Sequence, residues 1–325
     1  MKNAIALRPE MPLEENSQTN VTSPELIQIF LQELDVSKDT KREYTTILNC
    51  FCRFLEEKEI QEPKRKDVVA YKEELLENGR SPRTVRLYLC VLKSYFSWLS
   101  HSRLYPDITD NLKSPRITKE MKRQALTSDQ VAGILESIDR TSLSGKQTYA
   151  LILLASSTGL RSGELSSLRI SDWINFQNKT FLKVRRKGYQ EKQMVAIGPK
   201  ADSAIRDCLK DREIYKPEEP LFISTSNRNH GQAITPKSIG RIFKNELRVN
   251  GFDSSLFTGH SFRHTAAAIG MSICDNDIFT VKKFMGHSNI ETTVLYADHN
   301  ALLGQDLAAQ IEGKLISKEN SKKEV

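Results

Sequence analysis

Ser81-Pro82-Arg83-Thr84-Val85-Arg86-Leu87-Tyr88-Leu89-Cys90-Val91-Leu92-Lys93-Ser94-Tyr95-Phe96-Ser97-Trp98-Leu99 reads as one amphipathic helix with a marked beginning. Ser81 carries a hydroxyl suited to the backbone N–H groups that a first turn leaves unpaired. Pro82 stands at the first helical position, where its fixed φ fits and its missing N–H matters least. Val85, Tyr88, Leu89, Leu92, Tyr95, Phe96 and Leu99 recur at the three-and-four spacing of a single face. So apolar a face has to be covered, and the residues before it supply the cover. Leu26, Ile29, Phe30 and Leu34 mark a short first helix, and Tyr44, Ile47, Leu48, Phe51, Phe54 and Leu55 mark a second. Val68, Val69, Tyr71, Leu75 and Leu76 mark a third, stopped at Asn78-Gly79. Residues 23–103 are therefore expected to form a compact four-helix domain, and the polar, aperiodic residues 1–22 a flexible arm.

Downstream, residues 104–124 hold Pro106, Pro115 and, over 113–123, a basic run, Lys113, Arg116, Lys119, Lys122 and Arg123, with one acid in that run, Glu120. This reads as an extended linker able to follow a phosphate backbone. Thr127-Ser128-Asp129-Gln130 then has the form of a capping box. It opens a larger, mostly helical domain, residues 125–312, with one β-hairpin around 180–197 that turns near Lys187-Gly188. The charged residues 313–325 are expected to be disordered. The fold class is thus mainly α with a small β-sheet or hairpin.

The chain of 325 residues suits two cores rather than one, and its formal charge of +7 favours a polyanionic partner. Basic residues cluster at helix starts and turns. Lys41, Arg42, Arg80, Arg83 and Arg86, with Lys113, Arg116, Lys122 and Arg123 of the linker, are the candidate phosphate contacts. Glu56, Glu57, Glu73, Glu74 and Glu77 are interspersed, so a solvated charged face is the plainer alternative. The five cysteines are scattered and form no CxxC pair. They read as small buried hydrophobes in a reducing compartment. With no signal-like or membrane-spanning run, an intracellular, cytoplasmic protein is expected.

Three further segments carry chemistry: Thr158-Gly159-Leu160-Arg161-Ser162-Gly163-Glu164-Leu165, then His260-Ser261-Phe262-Arg263-His264-Thr265, then Gly286-His287-Ser288-Asn289-Ile290-Glu291-Thr292-Thr293-Val294-Leu295-Tyr296. Phosphoryl transfer needs an in-line nucleophile, neutralisation of the non-bridging oxygens, and a proton for the leaving oxygen. Arginine suits the second task because its planar fork grips two oxygens and stays charged. Arg161 and Arg263 are the candidates, with Glu164 three residues on from Arg161 to hold an arginine or histidine. His260 shares a helix face with Arg263, while His264 points elsewhere and reads as a packed histidine. Ser288 and Glu291 form a capping box for a helix carrying Tyr296. A phenol with a pKa near 10 is only about 0.1% ionised at neutral pH, so Tyr296 needs the help that guanidinium groups and a histidine give. His260 and His287 lack acidic or cysteine partners at ligand spacing, so a zinc site is not expected.

In order and type these residues resemble the tyrosine recombinase (phage integrase) family, over roughly residues 23–312, and most closely its simple two-domain members of the Xer or Cre kind. The resemblance implies an N-terminal core-binding, SAM-like domain and a C-terminal tyrosine-recombinase catalytic domain. It implies that Tyr296 is the nucleophile, forming a 3′-phosphotyrosyl bond and freeing a 5′-hydroxyl. Arg161 and Arg263 would clamp the phosphate, His260 would move the nucleophile's proton, and His287 would hydrogen-bond the phosphate. Lys187 would protonate the departing oxygen, with Lys183 and Lys192 as alternatives further from the turn. Phe262 stands where leucine is usual, and Arg186 where a glycine commonly precedes the lysine. The implied chemistry needs no metal or other cofactor, and the implied partner is double-stranded DNA bearing a specific recombination site. Four protomers are expected on synapsed DNA, a monomer or weak oligomer when free, in the nucleoid and not at a membrane. The amphipathic residues 300–312 are expected to dock on a neighbouring protomer, and the short arm leaves no room for a further arm-site domain. The implied role is integration or excision of a mobile element, or chromosome dimer resolution. The competing expectations are a type IB topoisomerase with the same chemistry and a DNA-binding protein without catalysis.

Overall fold

The computed structural model describes residues 20–117, 124–186, 189–212, 215–252, 256–275, 277–286, 289–290 and 293–294. The chain divides into two compact units, residues 1–119 and 120–325.

The first unit holds α1 (Pro24–Glu33), α2 (Lys38–Glu57), α3 (Arg65–Glu77) and α4 (Pro82–His101). Their starts follow from local chemistry. The hydroxyls of Ser23, Ser37 and Ser81 accept from the backbone N–H groups of Leu26, Thr40 and Thr84, and proline begins α1 and α4. α3 ends where the sequence predicts, with Asn78 as cap and Gly79 at φ +75°. α4 is the central helix: Val85, Leu89, Leu92, Phe96 and Leu99 are fully buried. Phe30 meets Tyr95 edge-on at 5.2 Å between centroids, and Phe51 meets Tyr71 likewise at 5.1 Å. The face expected for α1 is partly out of phase. Ile29 is exposed, and Ile27, Phe30 and Leu31 are the buried residues.

Both flanks of this unit are more firmly held than expected. Val21, assigned to the free arm, is buried, and its carbonyl accepts from the Tyr95 hydroxyl at 2.9 Å. The first part of the expected linker also packs on the core. Leu112 is buried, Tyr105 donates to the Pro63 carbonyl at 2.9 Å, and Lys93 donates to the Leu112 carbonyl at 2.7 Å. Leu104, Tyr105, Ile108 and Leu112 supply the apolar surface that draws it in.

The second unit runs α5 (Ser128–Ser137), α6 (Leu143–Thr158), α7 (Ser162–Ser166), β1 (Trp173–Phe176), β2 (Lys179–Val184), β3 (Gln193–Ile197), α8 (Pro199–Lys210), α9 (Pro236–Val249), α10 (Gly259–Ile273) and α11 (Ile278–Met285). The Thr127–Gln130 capping box opens α5 as expected. α6 is buried nearly all round, with Ala150, Leu151, Ile152 and Leu154 at zero exposure, and it packs against α8 and α10. The strands form an antiparallel sheet in the order β1-β2-β3, with Trp173 opposite Leu182 and Val184 opposite Gln193. The β2–β3 hairpin is the one expected; β1 is additional. β1 reaches β2 through Gln177 and Asn178, both at positive φ (50° and 59°), the pattern of a type I′ turn.

The reading of the cysteines needs correction. Cys208 is buried, but Cys90 is exposed and Cys50, Cys52 and Cys274 are half-buried. Cys90 lies on α4 between buried Leu89 and Val91 and faces outward. Among the described residues no helix is long and apolar enough to cross a membrane.

Candidate active site

Gly159 begins the site. It caps α6 in the left-handed conformation (φ +67°), turning the chain sharply enough for Arg161 to start α7 one residue after Leu160. A side chain there would run into the Met285 thioether, so the turn also lets α11 come close. Arg161 is held twice by Glu164: its backbone N–H donates to Oε2 at 2.8 Å and its Nη1 to Oε1 at 2.7 Å. Glu164 is only 6% exposed, whereas a third of the Arg161 side chain reaches solvent. The carboxylate therefore orients the guanidinium and leaves part of its fork open.

Arg263 comes from the first turns of α10. It is buried, donating through Nη1 to the Gly159 carbonyl and through Nη2 to the Met285 carbonyl at 2.8 Å. One guanidinium thus joins the α6 cap to the end of α11. His260, one turn earlier on α10, is exposed. Thr265 fixes the helix from behind, exchanging hydrogen bonds with the Leu126 backbone at 2.9 and 3.0 Å. Phe262 fills a core position with zero exposure, edge-on to Phe243 at 5.2 Å. Its departure from leucine is thus a matter of packing. His264 is half-buried.

Arg161, Glu164 and His260 open on one cleft of about 820 Å³, lined also by Arg185, Arg186, Tyr189 and Lys237. Glu164 is the one acid among the described lining residues, and Arg161 occupies it, so the cleft suits an anion. A larger hollow of about 1040 Å³ in the first unit is edged by Glu56, Glu59 and Glu62 beside Lys64 and Arg65. That mixed lining gathers no comparable positive charge.

Lys187, His287 and Tyr296 lie outside the described residues, as do the Ser288–Glu291 capping box, Lys122, Arg123 and residues 300–325. Their described neighbours are informative. Arg186, directly before Lys187, is 5% exposed and donates to the carbonyls of Lys283 and Phe284 at 3.5 and 2.9 Å. Gly286, directly before His287, caps α11 at φ +62°. Of the alternative lysines, Lys192 is committed to buried Asp172 at 2.5 Å, and Lys183 stands exposed on β2 opposite Met194. In the first unit Arg42, Arg80, Arg83, Arg86, Lys113 and Arg116 are exposed, while Lys41 is half-buried and its ammonium reaches the Gln32 carbonyl at 3.4 Å.

The sequence reading overlooked Lys237 and treated Arg186 only as a neighbour of Lys187. A signal for Lys237 was present: Thr235-Pro236 starts α9 in the manner of Ser81-Pro82, and the Thr235 hydroxyl accepts from the Ser238 N–H at 3.1 Å. Nothing in the spacing of Arg186 foretells its burial.

Residues 124–302 match the sequence model of the phage integrase family, and residues 25–103 that of the phage integrase N-terminal SAM-like domain. The tyrosine recombinase XerC of Chlamydia caviae is 28% identical over 300 residues, covering 83% of this chain and 94% of the relative. The tyrosine recombinase XerA of Pyrococcus furiosus is 29% identical over 275 residues, covering 84% and 88%. Among solved structures, a lambda integrase tetramer bound to a Holliday junction has a TM-score of 0.64 at 16% identity, covering 84% of this chain and 75% of that one. With the family match extending over more than half of its length, the chain belongs to the phage integrase family.

Proposed function

We propose that this protein is a tyrosine-type site-specific recombinase that cuts and rejoins duplex DNA without metal or ATP. The observation that carries the reading is one basic cleft onto which Arg161 and His260, far apart in sequence, both open; Arg263, buried one turn along α10 from His260, ties α6 to α11 and is not among the described residues lining it. The tyrosine recombinase names of the relatives support it.

In this reading the Tyr296 oxygen attacks the scissile phosphorus while its proton passes to His260. The bond from phosphorus to the 5′-oxygen breaks, and that oxygen leaves with a proton from Lys187. Arg161, Arg263 and His287 stabilise the charge on the non-bridging oxygens, and Glu164 holds Arg161 in register. The 3′-phosphotyrosyl bond conserves the energy of the phosphodiester, so a 5′-hydroxyl from another duplex reverses the step and exchanges strands through a Holliday junction. Residues 23–103 and the basic run of 104–124 grip the DNA, with Lys41, Arg42, Arg80, Arg83, Arg86, Lys113, Arg116, Lys122 and Arg123 on phosphates. Four protomers act together, as in the lambda integrase tetramer on its junction. Ala301, Leu302, Leu303, Leu307, Ala308 and Ile311 give 300–312 an apolar face for a neighbouring protomer. The setting is the cytoplasmic nucleoid.

The test begins with duplexes selected from a random-sequence library by binding. A plasmid bearing two copies of the selected site should yield recombinant products with this protein alone. Relaxation of supercoils without recombinants would point to a topoisomerase, and binding without strand cleavage to a non-catalytic DNA-binding protein. Sequencing genomic DNA captured covalently then separates mobile-element ends from a chromosomal dimer-resolution site.

A further inference from the structure

Arg186 is an unusual residue for its place. It is 95% removed from solvent, since its exposure is 5%, and burial pushes its pKa down. Glu164 offsets part of that effect and Arg161 adds to it. Its Nε has no partner among the described residues. A buried, incompletely satisfied guanidinium is a costly choice at a hairpin tip, where an exposed side chain would suffice. What holds it is the end of α11. The carbonyls of Lys283 and Phe284 belong to the last turn, where the helix dipole is negative; that of Lys283 also accepts the Gly286 N–H at 3.2 Å, and that of Phe284 takes the shorter Arg186 contact. Gly286 completes the seat, because a Cβ there would collide with the Arg186 guanidinium. The chain continues from Arg186 directly into Lys187, and from Phe284 reaches His287 three residues later.

We infer that Arg186 is a positioning residue for strand cleavage: it fastens the chain leaving β2 to the C-terminal turn of α11, and so restrains the backbone that leads into Lys187, the proton donor of the proposed mechanism. The inference rests on the assignment of Lys187 as proton donor. Its two Nη groups donate to α11 carbonyls, so its part in cleavage runs through the backbone it holds. It takes over, by an anchor in the protein interior, the placement of a tip that a glycine would leave free to move.

The experiment compares cleavage of two duplexes that differ at one atom, the ordinary 5′-bridging oxygen or a sulfur in its place. A thiol ionises near pH 8.5, so sulfur leaves as a thiolate and needs no proton donor. At saturating DNA, Arg186→Met should cleave the oxygen duplex at least about tenfold more slowly, since general acids contribute roughly 10²–10⁴-fold. The sulfur duplex should be cut at the rate of the unsubstituted protein. Arg186→Lys, which keeps the charge and most of the stem but lacks the planar fork, guards against a folding defect and should show the same pattern in milder form. The double variant Arg186→Met, Lys187→Ala should be no slower than Lys187→Ala alone, because the first residue acts through the second. An equal defect on both duplexes in the Arg186 variants, no defect at all, or multiplied defects in the double variant would overturn the inference. If Lys187→Ala is itself not rescued by sulfur, the proton-donor assignment beneath it fails instead.

Discussion

At the residue scale the site is a set of charged groups with assigned neighbours. Glu164 orients Arg161 from a buried position and also accepts the Arg161 backbone N–H, so its geometry and its charge are separable. Glu164→Gln keeps an oxygen for the cap and removes the charge. We predict a nearly unchanged urea midpoint and cleavage slower by roughly tenfold, the scale of lost supporting contacts around a reactive centre. In the proposed mechanism Arg263 is a transition-state donor, so Arg263→Ala should lower the single-turnover cleavage rate by about 10²–10³-fold. The variant must still bind DNA for that comparison to count. Burial pushes the Cys208 thiol up to about 12 and the Cys52 thiol up to about 11. The thiolate is the reactive form, so iodoacetamide should modify exposed Cys90 well before Cys208 at pH 8, and guanidinium should abolish the difference. Because these folded-state values are raised, their contribution to stability is complete below the unfolded thiol value of about 8.5 and is lost as pH climbs towards the folded values.

At the element scale, much of the fold was legible because helix starts are local chemistry. Ser81-Pro82, Asn78-Gly79 and Thr127–Gln130 each do what their side chains dictate, whatever the rest of the chain does. Ser81→Ala should therefore lower unfolding free energy by about 1 kcal/mol, read from a denaturant melt. Elements that depend on distant partners were less legible. β1 has only four residues, half of them exposed, and turns into β2 without a glycine, so neither alternation nor turn composition marks it. The inward face of α1 is set by α2 and α4, and its own pattern could not separate Ile29 from Ile27. The site divides in the same way. Arg161, Glu164 and His260 were recognisable by type and order, and they share the cleft. Arg186 was not, since what defines it is α11, almost a hundred residues further along.

At the scale of the whole molecule, the proposed grip on DNA draws on the charge of +7 and the exposed arginines of the first unit, and so on counterion release. Arg83→Ala should weaken binding to all sequences alike and reduce the slope of log affinity against log salt by about 1, measured by a binding titration over salt. Deleting residues 300–325 should leave single-site cleavage in place and abolish cooperative recombination between two sites. Intact cooperative recombination by the truncated protein would remove the reason to dock that segment on a neighbour. Both outcomes presuppose the central claim, that Tyr296 becomes covalently joined to DNA. The direct measurement uses a duplex of the selected site, nicked just beyond the scissile phosphate so that the cleaved end diffuses away, followed by proteolysis and mass spectrometry of the trapped adduct. The account predicts a 3′-phosphate on Tyr296, a free 5′-hydroxyl, formation in excess EDTA, and no adduct with Tyr296→Phe. An adduct on any other residue, or its persistence in Tyr296→Phe, would contradict it.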